Sequence, residues 1–237
     1  MKFAAVLAGG IGSRMGAEIP KQYIKVLDKP ILVYTVEKFL KENFDYTIVL
    51  VPDDWVSYTE KIFDKYLNNY KNFKVISGGK TRNDTLENAV SFFEENFHID
   101  EESIIVTHDG VRPFVTSEII KENISSAIKF GAAGTMVPAT DTIVKSEDGE
   151  FIGNIPNRKE LFCCQTPQSF NIKLLKKMLV SLTDKEKETV TDGCKLFNLR
   201  GKPVKMVLGV PENIKITYPF DLTVAKAILG SEQKKYE

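Results

Sequence analysis

The chain is poor in the residues that build disulfide frameworks and histidine-based catalytic sites. Its 237 residues include only three cysteines and two histidines. Cys163 and Cys164 are adjacent, the third cysteine is Cys194, and no C-x-x-C pair occurs, so neither a disulfide framework nor a zinc site is expected. We interpret the cysteines as buried or inert thiols. A Ser-His-Asp hydrolase or a His-ligated metal would have only His98 and His108 to use, and only His108 lies within a motif.

A surplus of charge and a long apolar run are also missing. Lys and Arg number 32, as do Asp and Glu, so the formal net charge is zero. Proteins that hold long nucleic acid by bulk charge carry a basic surplus, so that class is excluded, whereas binding of a small anion by a few local cations is not. No apolar run approaches the roughly 18 residues of a membrane span, and the apolar start of the chain is too short for a signal peptide core. We therefore expect a soluble cytoplasmic protein.

The pattern that is present alternates strands with helices. Apolar runs rich in β-branched residues predict strands at Phe3–Leu7, Tyr46–Val51, Phe73–Ile76, Ser103–Thr107, Gly134–Val137 and Val204–Leu208. Amphipathic stretches predict helices at Ile31–Leu40, Trp55–Tyr66, Asn83–Phe93, Ser117–Phe130, Ile172–Leu182 and Phe220–Leu229. This alternation predicts an α/β fold with a single doubly wound, mostly parallel sheet covered on both faces. Ligands of such sheets bind beyond the carboxyl ends of the strands, so the segments after each strand are the candidate site.

One segment interrupts the alternation. Residues 139–154 contain Asp148-Gly149 between two short strand-like runs, which is a strong hairpin signal. We expect an inserted β-hairpin arm at about 139–154. Spacing alone leaves open whether the arm packs on a second subunit or is a simple surface excursion.

Glycines follow the first predicted strand, where a tight turn can aim backbone N–H groups at phosphate oxygens. The segment continues from Leu7 through Gly12-Ser13-Arg14 to Pro20-Lys21-Gln22. It lacks the terminal Gly-Lys-Ser/Thr of a P-loop, and Met15 stands where a dinucleotide fingerprint has its third glycine. The glycine pattern therefore argues against a nicotinamide-binding reductase.

Arg14 and Lys21 are the two cations that follow these glycines. Arg offers phosphate a planar fork of donors and Lys a mobile point charge. Together they could hold a triphosphate and stabilise the charge that develops on one phosphorus. The alternative is two solvated surface charges.

The segment Leu7–Gly16, with Pro20-Lys21-Gln22 after it, resembles the signature loop of the sugar-phosphate and polyol-phosphate cytidylyltransferases. More specifically, it is similar to the group that contains methylerythritol-phosphate and ribitol-5-phosphate cytidylyltransferases. Further motifs in order extend the resemblance over nearly the whole chain, which implies one nucleotidyltransferase domain over residues 1–237 and a homodimer. It also implies a CTP-dependent enzyme that uses Mg²⁺ or another divalent cation.

The resemblance assigns roles to individual residues. Arg14 and Lys21 would be catalytic. The residues expected to bind CTP are Leu7, Ala8, Gly9, Gly10, Gly12, Ser13, Gly78, Gly79, Arg82, Asn83 and Thr85. Those expected to bind the polyol phosphate are Asp109, Arg112, Thr142, Arg158, Thr166 and Lys215, with Arg158 and Lys215 orienting its phosphate. Asp109 is also the predicted metal ligand, since a carboxylate is a hard oxygen donor suited to Mg²⁺.

Each motif also has an interpretation without a ligand. Gly78–Thr85 could be a turn followed by a helix cap, Asp109 and Arg112 could form a structural salt bridge, and Lys215 alone could be a strand-edge charge. A non-catalytic protein that kept only the CTP loop would be expected to lose the acceptor cations, and Arg158 and Lys215 are both present.

The acceptor is inferred from three segments. The segments 108–114, 155–158 and 191–197 look closer to the ribitol-5-phosphate branch, although Gly110 and Gly193 depart slightly from both branches. We therefore expect transfer of CMP from CTP to D-ribitol 5-phosphate, as in teichoic acid synthesis. The alternative acceptor is 2-C-methyl-D-erythritol 4-phosphate, from isoprenoid precursor synthesis.

Overall fold

A seven-stranded sheet forms the centre of the protein. The computed structural model describes residues 1–10, 16 and 19–233. Within them the strands are β1 (Lys2–Leu7), β2 (Lys25–Val26), β3 (Lys29–Pro30), β4 (Tyr46–Val51), β5 (Phe73–Ser77), β6 (Ile104–Asp109), β7 (Ala132–Pro138), β8 (Phe162–Asn171) and β9 (Lys205–Leu208). Strands β2 and β3 form a small hairpin of their own, and the central sheet has the order β5-β4-β1-β6-β8-β7-β9.

The sheet is parallel except at one strand. β1 pairs in parallel with β4 and β6, β4 with β5, and β7 with β9, whereas β8 runs antiparallel to both β6 and β7. The chain builds outward from β1 to β5 and then returns to place β6 on the other side of β1. Such a reversal opens a crevice at the carboxyl ends of the strands.

Helices cover both faces of the sheet. They are α1 (Ile31–Leu40), α2 (Val56–Tyr66), α3 (Arg82–Asn96), α4 (Ser117–Phe130), α5 (Ile172–Val180), α6 (Asp184–Thr189), α7 (Gly193–Leu199) and α8 (Pro219–Gln233). Side chains of β1 alternate between the two faces, with Phe3 and Leu7 packing in the cluster that contains α3, α5 and α7. Ala4 and Val6 pack in the cluster that contains α1, α2 and α4. Because both faces are buried, the strand is apolar from Phe3 to Leu7. The predicted doubly wound α/β fold is confirmed.

Strand β8 was not among the predicted strands. It carries polar residues and a proline in its interior, with the sequence Gln165-Thr166-Pro167-Gln168, and both features lower the strand signal. Gln165 and Thr166 gain a buried partner in the fold, because Asn213 Nδ2 donates to Gln165 Oε1 at 3.1 Å and to the carbonyl of Thr166 at 2.8 Å. Tertiary contacts therefore override local propensity at this strand.

The predicted arm contains its turn but not its two strands. Gly149 has a left-handed φ of 80°, and Asp148 Oδ1 accepts hydrogen bonds from the backbone N–H groups of Glu150 and Phe151. The pairing is a single antiparallel bridge between Lys145 and Asn154. An isolated two-stranded hairpin is marginally stable, and the large apolar side chains of this arm, Ile143, Val144, Phe151 and Ile152, are exposed rather than packed.

The sequence predicts neither a disulfide framework nor a membrane span, and the cysteines and helices of the structure relate to these two expectations. All three cysteines are free, with Cys194 buried but Cys163 and Cys164 exposed. Burial therefore accounts for only one of the three thiols that the sequence predicts to be buried or inert. Over the described residues, no helix is both long and apolar enough to cross a bilayer.

Candidate active site

A cavity of about 410 Å³ lies at the carboxyl ends of the parallel strands. Leu7, the last residue of β1, pairs in register with Asp109, the last residue of β6. Both line the cavity, together with the glycine segments that follow β1 and β5. Among the described residues, the lining consists of Leu7, Ala8, Gly9, Gly10, Lys21, Gln22, Gly79, Lys80, Thr81, Arg82, Thr85, Asp109, Val111, Lys215 and Thr217.

The segment after β1 is held on both sides. Ala8 donates its backbone N–H to the carbonyl of Leu50 at 2.7 Å, and its own carbonyl accepts from Nε2 of the buried Gln22 at 2.7 Å. Lys21 is buried as well, and its ammonium donates to the carbonyl of Ile216 at 2.9 Å. These contacts fix the Lys21 amine at the cavity wall, beside the chain segment that carries Lys215.

The segment after β5 closes into the first turn of α3. A Cβ on Gly79 would lie 2.1 Å from the Cβ of Asp84, so only glycine allows this close approach. Thr85 Oγ1 accepts from the Gly79 N–H at 3.0 Å and donates to the Thr81 carbonyl at 2.8 Å. Thr81 and Asp84 form a capping box. The predicted turn and cap are therefore present, and they place a helix N-terminus, which favours anions, at the cavity wall.

Asp109 is a buried carboxylate surrounded by three cations. Arg82 Nη1 donates to Oδ1 at 2.8 Å, while Lys215 Nζ and Arg112 Nε contact Oδ2 at 3.0 and 3.3 Å. Arg112 also donates from Nη1 to the carbonyl of Asn213 at 2.8 Å. The three cations come from α3, from the turn after β6 and from the segment after β9, so only the tertiary structure brings them together.

The electrostatics of this cluster follow from its composition. Burial alone would raise the pKa of Asp109, but Arg82, Lys215 and Arg112 outweigh burial and hold the pKa of this carboxyl well below its usual range. Conversely, burial acts to lower the pKa of Arg82, yet Asp109 raises it above its ordinary value. One carboxylate stands against three cationic side chains, so the cluster carries a local excess of positive charge that suits a phosphorylated substrate.

These surroundings do not fit a divalent cation on Asp109. Both carboxylate oxygens already accept hydrogen bonds from cations, and a further positive ion would be repelled by them. Among the residues that the structure describes, no group of three or more His, Cys, Asp or Glu side chains could hold a metal ion. The cluster instead has the composition of a site for an anion with nearby hydroxyl groups.

The other predicted site residues occupy different places. Asn83 is buried, and its Nδ2 donates to the carbonyls of Lys187 and Val190 instead of facing the cavity. Gly78 precedes the lining residue Gly79 and donates its N–H to the Val51 carbonyl at 2.7 Å.

Six further residues that the sequence assigns to the site either do not line the cavity or lie outside the described residues. The Thr166 hydroxyl is buried and bonded to the Asp109 N–H at 3.1 Å. Thr142 is exposed in the arm, and Arg158 at its base donates to the Thr140 carbonyl at 3.2 Å, so neither reaches this chain's cavity. Gly12, Ser13 and Arg14 lie outside the described residues.

Sequence reasoning did not assign a role to several of the lining residues. Lys80 and Thr81 stand within the quoted glycine motif, Gln22 follows Lys21, and Thr217 ends the motif of Lys215. Their signal was position alone, because each lies within one or two positions of a residue that was selected. Val111 lies in the turn between Asp109 and Arg112 and had no chemical signal.

Comparison with known proteins gives a single family. A family model described as "IspD: 2-C-methyl-D-erythritol 4-phosphate cytidylyltransferase" matches residues 3–231. The chain is similar to the structure of a 4-diphosphocytidyl-2C-methyl-D-erythritol synthase from Anaerococcus prevotii, with 28% identity, a TM-score of 0.78, and coverage of 97% of this chain and 96% of that one.

Two further solved structures agree with this match. The 2-C-methyl-D-erythritol 4-phosphate cytidylyltransferase from Francisella tularensis has 27% identity and a TM-score of 0.75, with coverage of 94% of this chain and 97% of that one. The enzyme of the same name from Thermus thermophilus has 25% identity and a TM-score of 0.72, with coverage of 96% of this chain and 98% of that one.

Proposed function

The chain belongs to the IspD family of cytidylyltransferases, and from this premise we propose that it transfers CMP from CTP to 2-C-methyl-D-erythritol 4-phosphate. Membership makes it a nucleotidyltransferase. The observation that carries the choice of a polyol phosphate is the buried Asp109 carboxylate among Arg82, Arg112 and Lys215, beside two glycine segments in one cavity.

The proposed reaction is an in-line displacement. An oxygen of the acceptor phosphate attacks the α-phosphorus of CTP, the bond from that phosphorus to the β-phosphate bridging oxygen breaks, and pyrophosphate leaves. No protein nucleophile is needed, because such transfers depend on positioning and on electrostatic stabilisation of the phosphoryl oxygens. This agrees with a cavity lined by cations and by the glycine segments after β1 and β5.

We assign the two ends of the cavity to the two substrates. The glycine segments and the N-terminus of α3 would bind CTP, and Lys21 with Arg14 would stabilise the developing charge. Asp109 would accept a hydrogen bond from a hydroxyl of the acceptor, while Lys215 and Arg112 would attract its phosphate. A divalent cation would be bound by the phosphate oxygens of CTP rather than by Asp109.

The choice between acceptors goes against the preference drawn from the sequence. That preference for ribitol 5-phosphate depended on short segments such as 108–114, whereas the family model and the three solved relatives are all named for methylerythritol substrates or products. The comparisons thus favour the alternative that the sequence left open, and they give no support to teichoic acid synthesis.

Pyrophosphate release tests the proposal directly. The purified chain would be given CTP and Mg²⁺ with 2-C-methyl-D-erythritol 4-phosphate or with D-ribitol 5-phosphate, in parallel. We expect kcat/KM at least a hundredfold higher for the methylerythritol substrate, since a site built to pair with a substrate's polar groups rejects analogues strongly. Faster turnover of ribitol 5-phosphate would contradict the proposed acceptor, and no turnover of either would contradict the polyol phosphate class.

We also propose that Thr142 and Arg158 act in the cavity of a second subunit. The arm, which carries Thr142 and has Arg158 at its base, exposes apolar side chains, including Phe151 at 75% and Ile152 at 64%. Isolated surface hairpins of this kind gain stability by packing on a partner. This would explain why two residues of the resembled acceptor site lie far from the cavity of their own chain.

A further inference from the structure

His108 lies directly behind the acceptor end of the cavity, and the reaction described above does not use it. It is the residue before Asp109 in β6, it is completely buried, and its ring packs against Phe39 with the centroids 4.9 Å apart. Its two ring nitrogens each have a partner: Nε2 lies 3.0 Å from the carbonyl oxygen of Arg112, and Nδ1 lies 3.0 Å from the hydroxyl of Thr166.

The partners determine which ring nitrogen holds the proton. Burial lowers the pKa of His108 to about 4, so the ring is neutral at physiological pH. A carbonyl oxygen can only accept, and therefore Nε2 must carry the hydrogen and donate to Arg112. Nδ1 is then an acceptor, and the Thr166 hydroxyl donates to it.

The chain of hydrogen bonds continues to the cavity. Thr166 Oγ1 donates its hydrogen to His108 and accepts from the backbone N–H of Asp109 at 3.1 Å. The same turn is closed by the Arg112 N–H, which donates to the Asp109 carbonyl at 3.0 Å. One imidazole therefore binds both ends of the turn that carries the carboxylate and one of its cations, directly at Arg112 and through Thr166 at Asp109.

We infer that His108 is a positioning residue of the acceptor site, which holds the Asp109 carboxylate and Arg112 guanidinium at the separation that the polyol phosphate requires. The inference rests on the proposed function for its substrate, but the relay itself involves only this chain. The charged groups around the ring are Asp109, Arg112 and Arg82. An apolar residue could fill the same space, but it would leave the Arg112 carbonyl and the Thr166 hydroxyl without these partners.

Nuclear magnetic resonance tests the relay without any substrate. The chain has only two histidines, so ¹⁵N-histidine labelling gives two rings, and a His98→Gln variant assigns the exposed one. We expect His108 to carry its hydrogen on Nε2, with Nδ1 unprotonated, between pH 6 and 8.

Hydrogen exchange of the Asp109 amide should accelerate about tenfold in Thr166→Val, because that amide loses its acceptor. A hydrogen on Nδ1, or unchanged exchange, would overturn the inference.

Kinetics separate positioning from a purely structural role. We expect His108→Phe and Thr166→Val each to raise the KM for the acceptor about tenfold, the effect of losing one buried hydrogen bond, with CTP affinity changed less than twofold. The acceptor KM of the double variant should be no higher than that of the more impaired single variant, because both substitutions break the same relay. Thr166→Ser keeps the hydroxyl and should restore the acceptor KM.

The remaining outcomes are also decisive. If His108→Phe does not fold, Thr166→Val and Thr166→Ser carry the test alone. Effects that add in the double variant, or a parallel loss of CTP affinity, would overturn the positioning role. If the wild-type chain turns over neither polyol phosphate, the proposed function fails, whereas the ring proton and the Asp109 amide exchange still decide the relay.

Discussion

Replacing Asp109 by asparagine removes the negative centre of the cation cluster while keeping the side chain's shape. Three cations lie 2.8 to 3.3 Å from the Asp109 oxygens. In Asp109→Asn they lose their counter-charge and repel one another in a partly buried setting. Breaking a buried ion pair by removing one partner costs about 3–5 kcal/mol, and because Lys215 remains 40% exposed we expect the lower end, about 3 kcal/mol.

An effect of this size is large enough to measure by thermal unfolding. For a chain of this length, about 3 kcal/mol corresponds to a decrease in Tm of roughly 6–12 °C, which thermal unfolding followed by circular dichroism resolves easily. Asp64→Asn, which changes an exposed aspartate on α2, is the matched control and should change the stability by less than about 0.5 kcal/mol. Phosphate or pyrophosphate should recover part of the lost stability, because anions can bind the freed cations.

The pH dependence gives a second check on the same reasoning. Because the pKa of Asp109 is held below its usual range, its contribution is fully present above the ordinary aspartate pKa and is lost as pH falls through the lower folded value. The difference between wild type and Asp109→Asn should therefore be constant from pH 5 to 8. A change in Tm below 1 °C, or a difference that disappears near pH 6, would refute the ion-cluster account.

Three further predictions concern catalysis, pH and assembly. Lys21→Ala should lower kcat a hundredfold or more, about 3–4 kcal/mol of barrier, whereas Lys25→Ala, at an exposed position of β2, should not. Near-normal kcat of Lys21→Ala in pyrophosphate release would contradict the catalytic assignment. Since the pKa of His108 is lowered to about 4, the neutral ring contributes stability that is complete above pH 6.5 and declines by roughly 3 kcal/mol as pH falls to 4. Urea unfolding at several pH values should show this decline in the wild-type free energy of unfolding. An equal decline in His108→Phe would argue against this origin. Sedimentation should show a dimer that Phe151→Asp weakens, and mixing inactive Lys21→Ala with inactive Arg158→Ala should restore activity if the arm completes a partner's site; a monomeric wild type, or mixtures that stay inactive, would exclude that arrangement.

The parts of the site that could be predicted are those encoded in contiguous motifs. The glycines after β1 and β5 indicate backbone that approaches a ligand. The motif of Asp109 lies at the end of β6 and that of Lys215 follows β9, so each could be selected without knowing its neighbours. Thr166 was selected as a substrate contact, but in the fold its hydroxyl bonds to His108 and the Asp109 amide. Likewise, the Asn83 amide donates to the Lys187 carbonyl within α6 and to the Val190 carbonyl directly after it. Residue type alone could not distinguish these internal hydrogen bonds from contacts with a ligand.

The sequence by itself determined the fold class, the strand ends that form the cavity and the enzyme family, because apolar periodicity and local motifs are properties of short segments. The tertiary structure decided what those segments do to one another. It added the antiparallel β8 between β6 and β7, and it enclosed Asp109 within three cations instead of leaving it open to a metal ion. It also placed the neutral ring of His108 behind the acceptor end of the cavity. These features depend on contacts between residues that are distant along the chain, such as Asp109 and Lys215, and only the folded chain brings such residues within hydrogen-bond distance.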